Sequence, residues 1–234
     1  MFRSKRPVTA LAFSIPAFSF AFLLCHAQTS PAPPVVTINT PSNNSAYSWN
    51  SLVNYSVTVT WNGKSTQYQE IPSNEVLITT TYVPDLSTTS QPASEPTPPG
   101  LLTIIRSGCI GCHEFRAKAM GPSFAAIAAR FPDNPTSIAT LSHYIREGST
   151  GIFGPAAMPP HPAFTAQQLQ AVAQWIVKSA ANPNVNHYVG TEGTIRMQSP
   201  TPPTSNSGIA LTAAYTASGQ QSPHGESTVI LHSK

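Results

Sequence analysis

The sequence predicts an α+β protein of several units, with an all-α middle third flanked by antiparallel β segments. Three observations predict it. The hydrophobic period is 2 over residues 33–83, becomes 3.6 within 100–182, and returns to 2 beyond Asn182. Breaks rich in Pro, Ser and Thr, at 84–99 and 199–208, separate these patterns. Only 9% of the 234 residues are charged, a composition suited to an exported, loop-rich chain. The net charge of +3 forms no basic stripe, which excludes nucleic acid as an expected partner.

The first element expected is a leader over residues 1–27. Arg3, Lys5 and Arg6 form a positive start, Val8 to Cys25 is uncharged and apolar, and Cys25-His26-Ala27 offers a cleavage site before Gln28. A retained membrane tether is the alternative, not favoured; lipidation at Cys25 is disfavoured by the large Leu24 before it. Cleavage leaves two cysteines, Cys109 and Cys112.

A β module follows over 33–83. "LVNYSVTVTW" sets Val53, Tyr55, Val57, Val59 and Trp61 on one face and Asn54, Ser56, Thr58 and Thr60 on the other. "VVTINT" (35–40) and "EVLITTTYV" (75–83) are its expected partners, and Trp61-Asn62-Gly63-Lys64 carries a turn signal. Residues 84–99 read as a semi-extended linker.

The helical unit, 100–182, is expected to hold helices at 101–112, at 123–131, and from Ser137 to about Glu147. A last helix begins at a capping box, Thr165 to Gln168, with Phe164 stapled on Leu169. Its apolar stripe is Leu169, Val172, Ala173, Ile176 and Val177. Over 183–234 three strands are expected: "TIRMQ" (194–198), "IALTAAYT" (209–216) and "STVILHS" (227–233). Three strands are too few for an independent sandwich. Two arrangements are open: separate immunoglobulin-like β segments on either side, or one composite sandwich built from both flanks.

Chemistry concentrates in Cys109-Ile-Gly-Cys112-His113. A zinc site would need two more ligands, and no second cysteine pair or spaced histidine pair stands near. A thioredoxin-like dithiol would need a βαβ setting, whereas the neighbours read as helical. Covalent haem attachment explains the pentapeptide: in a helix both thiols project from one face, with His113 alongside as an iron ligand. Met158 is the expected opposite ligand, in a loop stiffened by Pro159, Pro160 and Pro162. His161 is its competitor. Met120, Met197, His143, His187, His224 and His232 are set aside, the last three as loop or strand surface.

With these residues in place, residues 100–182 resemble the class I cytochromes c, particularly the small bacterial ones. The matches are Cys109-Ile-Gly-Cys112-His113, Met120-Gly121-Pro122-Ser123-Phe124, "REGSTGIFGPAAMPPHP" and the helix bearing Trp175. The resemblance implies one covalent haem c and a Pro122 carbonyl orienting His113. It also implies that the first and last helices cross, bringing Leu102 and Ile105 near Trp175 and Ile176. Phe153 stands where the family often has a tryptophan that donates to a haem propionate, so Arg146, or backbone groups of Gly151 and Ile152, would take that role. The segments "PVVTINTP", "YSVTVT", "GTIRMQ" and "GIALTAAYT" are similar to the C-terminal region of bacterial quinoprotein sugar dehydrogenases.

The expected function is periplasmic electron transfer, with a periplasmic dehydrogenase as donor and a terminal acceptor as second partner, and no enzymatic activity. Two alternatives stand beside it. One is a peroxidase or oxidase with a displaceable Met158 and His161 as acid–base group. The other is a carbohydrate- or partner-binding β protein with a redox module, in which Tyr47, Trp49, Trp61 and Tyr82 stack on sugars.

Overall fold

The computed structural model describes residues 1, 32–87, 95–219 and 222–234; the expected leader lies outside them. Five strands come first: β1 (Val35–Thr40), β2 (Ser45–Tyr47), β3 (Leu52–Trp61), β4 (Lys64–Ser65) and β5 (Leu77–Val83). Four helices follow: α1 (Pro99–Arg106), α2 (Phe124–Arg130), α3 (Pro135–Glu147) and α4 (Ala166–Ser179). The chain then returns to strands, β6 (Val185–Val189), β7 (Glu192–Arg196), β8 (Gly208–Thr216) and β9 (His224–Ser233). No helix among the described residues is long and apolar enough to cross a membrane.

Both sheets take strands from each flank of the helical unit. In one, β3 pairs with β1, β4 and, across the helical insertion, β7. The other runs β2-β9-β8-β5-β6, with β2 parallel to β9 and the remaining pairs antiparallel. Their facing sides share one core that includes Val57, Val59, Ile78, Ile195, Leu211 and Leu231. The alternation along β3 dictates this: Tyr55, Val57 and Val59 are buried while Asn54 and Thr60 are exposed. A slip of one residue would expose all three, each worth about 1.5–3 kcal/mol when buried.

The aromatics proposed for sugar stacking pack instead against this core. Tyr47 and Tyr82 are buried, Trp49 and Trp61 partly so, and Trp49 meets both tyrosine rings edge-on at 5.0 and 5.8 Å.

The second sheet is covered on both faces. Along β5, Ile78 and Tyr82 face the sandwich core, while Leu77 joins the helical core. Strand β6, which the sequence reading missed, splits in the same way. Tyr188 packs on the sandwich core and Val189 on the helical core. His187 is therefore not a surface residue. Its ring lies 5.2 Å from Phe115 and 5.8 Å from Trp175, and its Nδ1 is 3.0 Å from Thr79 Oγ1.

Among the helices, α1 and α4 cross in close contact. Leu101, Ile104 and Ile105 are buried there against Trp175 and Ile176, whereas Leu102 is only partly buried. Gly100 sits at the crossing: a Cβ there would lie 2.1 Å from the Ala171 carbonyl oxygen. The capping box of α4 forms as expected, and Phe164 packs on the same core as Leu169. The first helix stops at Arg106 rather than reaching Cys112, because Gly108 at φ +72° turns the chain into a separate 3-10 turn, Cys109–Gly111.

Two outcomes follow. Gly100→Ala should lower the unfolding free energy of the holoprotein by roughly 1–3 kcal/mol, because the added methyl must push backbone rather than a flexible side chain; an unchanged urea midpoint would contradict this packing. Burial, and secondly the Arg116 charge, push His187 down from 6.5 to about 4. Its folded pKa is thus below its unfolded one. The stability it contributes is full above pH 6.5 and drains away as pH falls to about 4, on the order of 2–3 kcal/mol. Urea unfolding across this window should show that slope in the wild type and a flatter one in His187→Phe; equal slopes would exclude His187 as its source.

Candidate functional site

The site begins where α1 ends. After the left-handed turn at Gly108, the amides of Cys112 and His113 both bond the Cys109 carbonyl, at 3.1 and 3.0 Å. This tight turn, rather than a continuous helix, sets the two thiols and the imidazole in sequence. Neither cysteine is in a disulfide. Burial pushes the Cys109 thiol up, a backbone hydrogen bond opposes the rise and Cys112 adds to it. The Cys112 sulfur lies 3.9 Å from the sulfur of Met120, which is exposed.

His113 is 9% exposed. Its Nδ1 is 2.7 Å from the Pro122 carbonyl oxygen. A carbonyl can only accept, so Nδ1 carries the proton and Nε2 keeps its lone pair. The loop that delivers Pro122 is closed by Gly121 N–H to Cys112 O at 2.8 Å and Phe124 N–H to Glu114 O at 3.0 Å. Gly121 passes so close that a Cβ would lie 2.6 Å from His113 Cε1. Ser123 then caps α2 through the Ala126 amide, and the Phe124 ring sits 5.6 Å from the imidazole.

Met158 lies on the loop between α3 and α4. Its backbone is fixed to Ser149 by two hydrogen bonds of 2.8 and 3.1 Å, and its side chain packs partly buried on the helical core. His161 donates its amide to the carbonyls of Ile145 and Arg146, while its ring stacks on Phe164 at 5.6 Å and 11°. Arg146 is exposed in the last turn of α3. Phe153 is 38% exposed, and the cation set against its ring, at 5.2 Å, is Arg130. The sequence reading missed Arg130; its place in the last turn of α2 was the only signal, a common one for basic residues. Met197 is buried in the sandwich and His143 is exposed on α3.

The donor set fits haem c. Two unpaired thiols stand at the attachment spacing, and the oriented imidazole leaves Nε2 available beside a glycine that gives it room. A cavity of about 420 Å³ lies elsewhere, between the two sheets near Arg116.

Comparison with known proteins agrees. Residues 102–176 match the family described as cytochrome c oxidase, cbb3-type, subunit III. Cytochrome c-551 of Pseudomonas aeruginosa is 36% identical over 70 residues, a match spanning 30% of this chain and 66% of that protein. Cytochrome c2 of Rubrivivax gelatinosus is 36% identical over 85 residues, 36% of this chain and 98% of that protein. The crystal structure of wild-type Nitrosomonas europaea cytochrome c552, at 32% identity, covers 32% of this chain and 94% of that one with a TM-score of 0.32. Through its helical domain the chain therefore belongs to the class I c-type cytochromes, which hold haem c covalently and transfer electrons rather than catalyse a reaction.

Proposed function

We propose that His113 Nε2 and Met158 Sδ would ligate the haem iron, that Cys109 and Cys112 would anchor the haem through thioethers, and that the protein is an exported, periplasmic electron carrier. It accepts electrons from a periplasmic dehydrogenase and passes them to a terminal acceptor. The observation that supports this most is the 2.7 Å hydrogen bond from His113 Nδ1 to Pro122. It fixes the tautomer and the ring orientation, the task of an outer partner of a metal-bound histidine. When bound, the haem supplies an iron that cycles between ferrous and ferric states.

The other residues act by holding geometry. The two hydrogen bonds between Ser149 and Met158, with three prolines following, keep the thioether loop in one conformation. A soft, neutral sulfur favours the reduced metal and raises the potential. The stacking of His161 on Phe164 speaks against its service as a competing ligand or an acid–base group. Propionate anchoring falls to Arg146, with Arg130 on Phe153 as a second cation. We read the sandwich as immunoglobulin-like and the chain as the electron-accepting portion of a quinoprotein-type sugar dehydrogenase system, on the resemblance of the flanking segments.

The ferric wild type should show a methionine–iron charge-transfer band that disappears in Met158→Ala while the haem stays covalently attached; a persisting band would remove Met158 from the iron. The reduced wild type should bind carbon monoxide slowly, and Met158→Ala rapidly. Rapid binding by the wild type would favour an enzyme with an open iron site.

A further inference from the structure

We propose that the cavity between the two sheets binds a small polyhydroxy carboxylate. It measures about 420 Å³ and is lined by Thr80 and Tyr82 of β5, Asn186 and Tyr188 of β6, and, among others, Arg116 and Arg196. That volume lies within the usual range for small-molecule sites.

Sandwich interiors are normally filled by apolar side chains from both inner faces. Here Ile78 and Tyr82 obey that rule, but Thr80 between them is polar and only 8% exposed. On β6 the Asn186 side chain donates to the Tyr188 hydroxyl at 2.9 Å and its oxygen accepts the His187 amide, also at 2.9 Å. Asn50, Asn184 and Gln198 also line the cavity, and their carboxamides make no hydrogen bond to another described residue. Carboxamides and hydroxyls offer both donors and acceptors, the complement of a ligand with several hydroxyl groups.

The charge is one-sided. No Asp or Glu lines the cavity, and neither arginine has a carboxylate partner among the described residues. Arg116 comes three residues after His113 on the haem-binding loop and reaches across to β6. Its Nε and Nη2 donate to the Val185 carbonyl at 3.0 and 2.6 Å, and Nη2 also to that of Asn182. Burial lowers its pKa, with Tyr188 opposing that shift. It is a half-buried cation held by neutral dipoles. Arg196 donates to the Asn50 carbonyl at 3.1 Å. The Val185 and Asn182 carbonyls occupy Nε and both protons of Arg116 Nη2 and leave Nη1 to donate, whereas Arg196 on the rim keeps Nε and Nη2 as an edge that can pair with a carboxylate.

The test is isothermal titration of the holoprotein with sodium D-gluconate, D-glucose and sodium acetate. Glucose carries the hydroxyls without the charge, and acetate the charge without the hydroxyls. Gluconate should bind at one site, at least tenfold more tightly than either control. Arg196→Gln, on the exposed rim, should weaken gluconate at least tenfold with the circular dichroism and haem spectrum unchanged. Gln198→Ala should weaken it severalfold. No gluconate binding, equal binding of glucose or acetate, or wild-type gluconate affinity in both variants would overturn the proposal.

Discussion

The hydrogen bond from His113 Nδ1 to the Pro122 carbonyl is the contact on which the haem domain turns. It needs the loop 114–122 to fold back over the imidazole, which requires a residue without a side chain at Gly121. The same reversal delivers Ser123 as a cap for α2 and sets Phe124 against the imidazole. Phe124 and Phe115 then meet edge-on with Trp175 of α4, at 5.9 and 6.0 Å. One polar contact at the His113 imidazole is thus continuous with the aromatic core that packs on α4.

The sandwich is not a loosely tethered appendage to this domain. Arg106, at the C-terminal turn of α1, pairs with Glu75 at 3.2 Å and donates to the Thr216 carbonyl. Arg116 ties the loop after His113 to the start of β6, and the His187 ring packs against both Phe115 and Trp175. Arginines bonded to backbone carbonyls hold position through several donors at once. A rigid frame suits an electron carrier, whose metal geometry should change little between oxidation states. It also places the polar cavity beside the loop that carries His113.

Much of this was legible in the sequence where the signal is local. The alternation of Val57 and Val59 with Thr58 and Thr60 marked β3 residue for residue. Thr165 and Gln168 marked the start of α4, the Cys-x-x-Cys-His run and the proline-rich loop of Met158 carry their own local signals, and Pro122 was pointed to by the family resemblance. What escaped depends on distant partners. Strand β6 carries the polar Asn186 and His187 between apolar residues and shows no clean alternation, and only pairing with β5, more than a hundred residues earlier, makes it a strand. His187 escaped for the same reason. The break at Gly108 was hidden because Leu101, Ile104 and Ile105 keep helical spacing up to it. The cavity could not be foreseen at all, since Arg116, Asn186 and Arg196 share no local pattern.

Mass spectrometry of protein matured in a bacterium with working cytochrome-maturation machinery tests the central claim most directly. The account predicts a single haem adduct on the peptide bearing Cys109 and Cys112, absent when both are changed to serine. Bare polypeptide from the wild type under those conditions would contradict it.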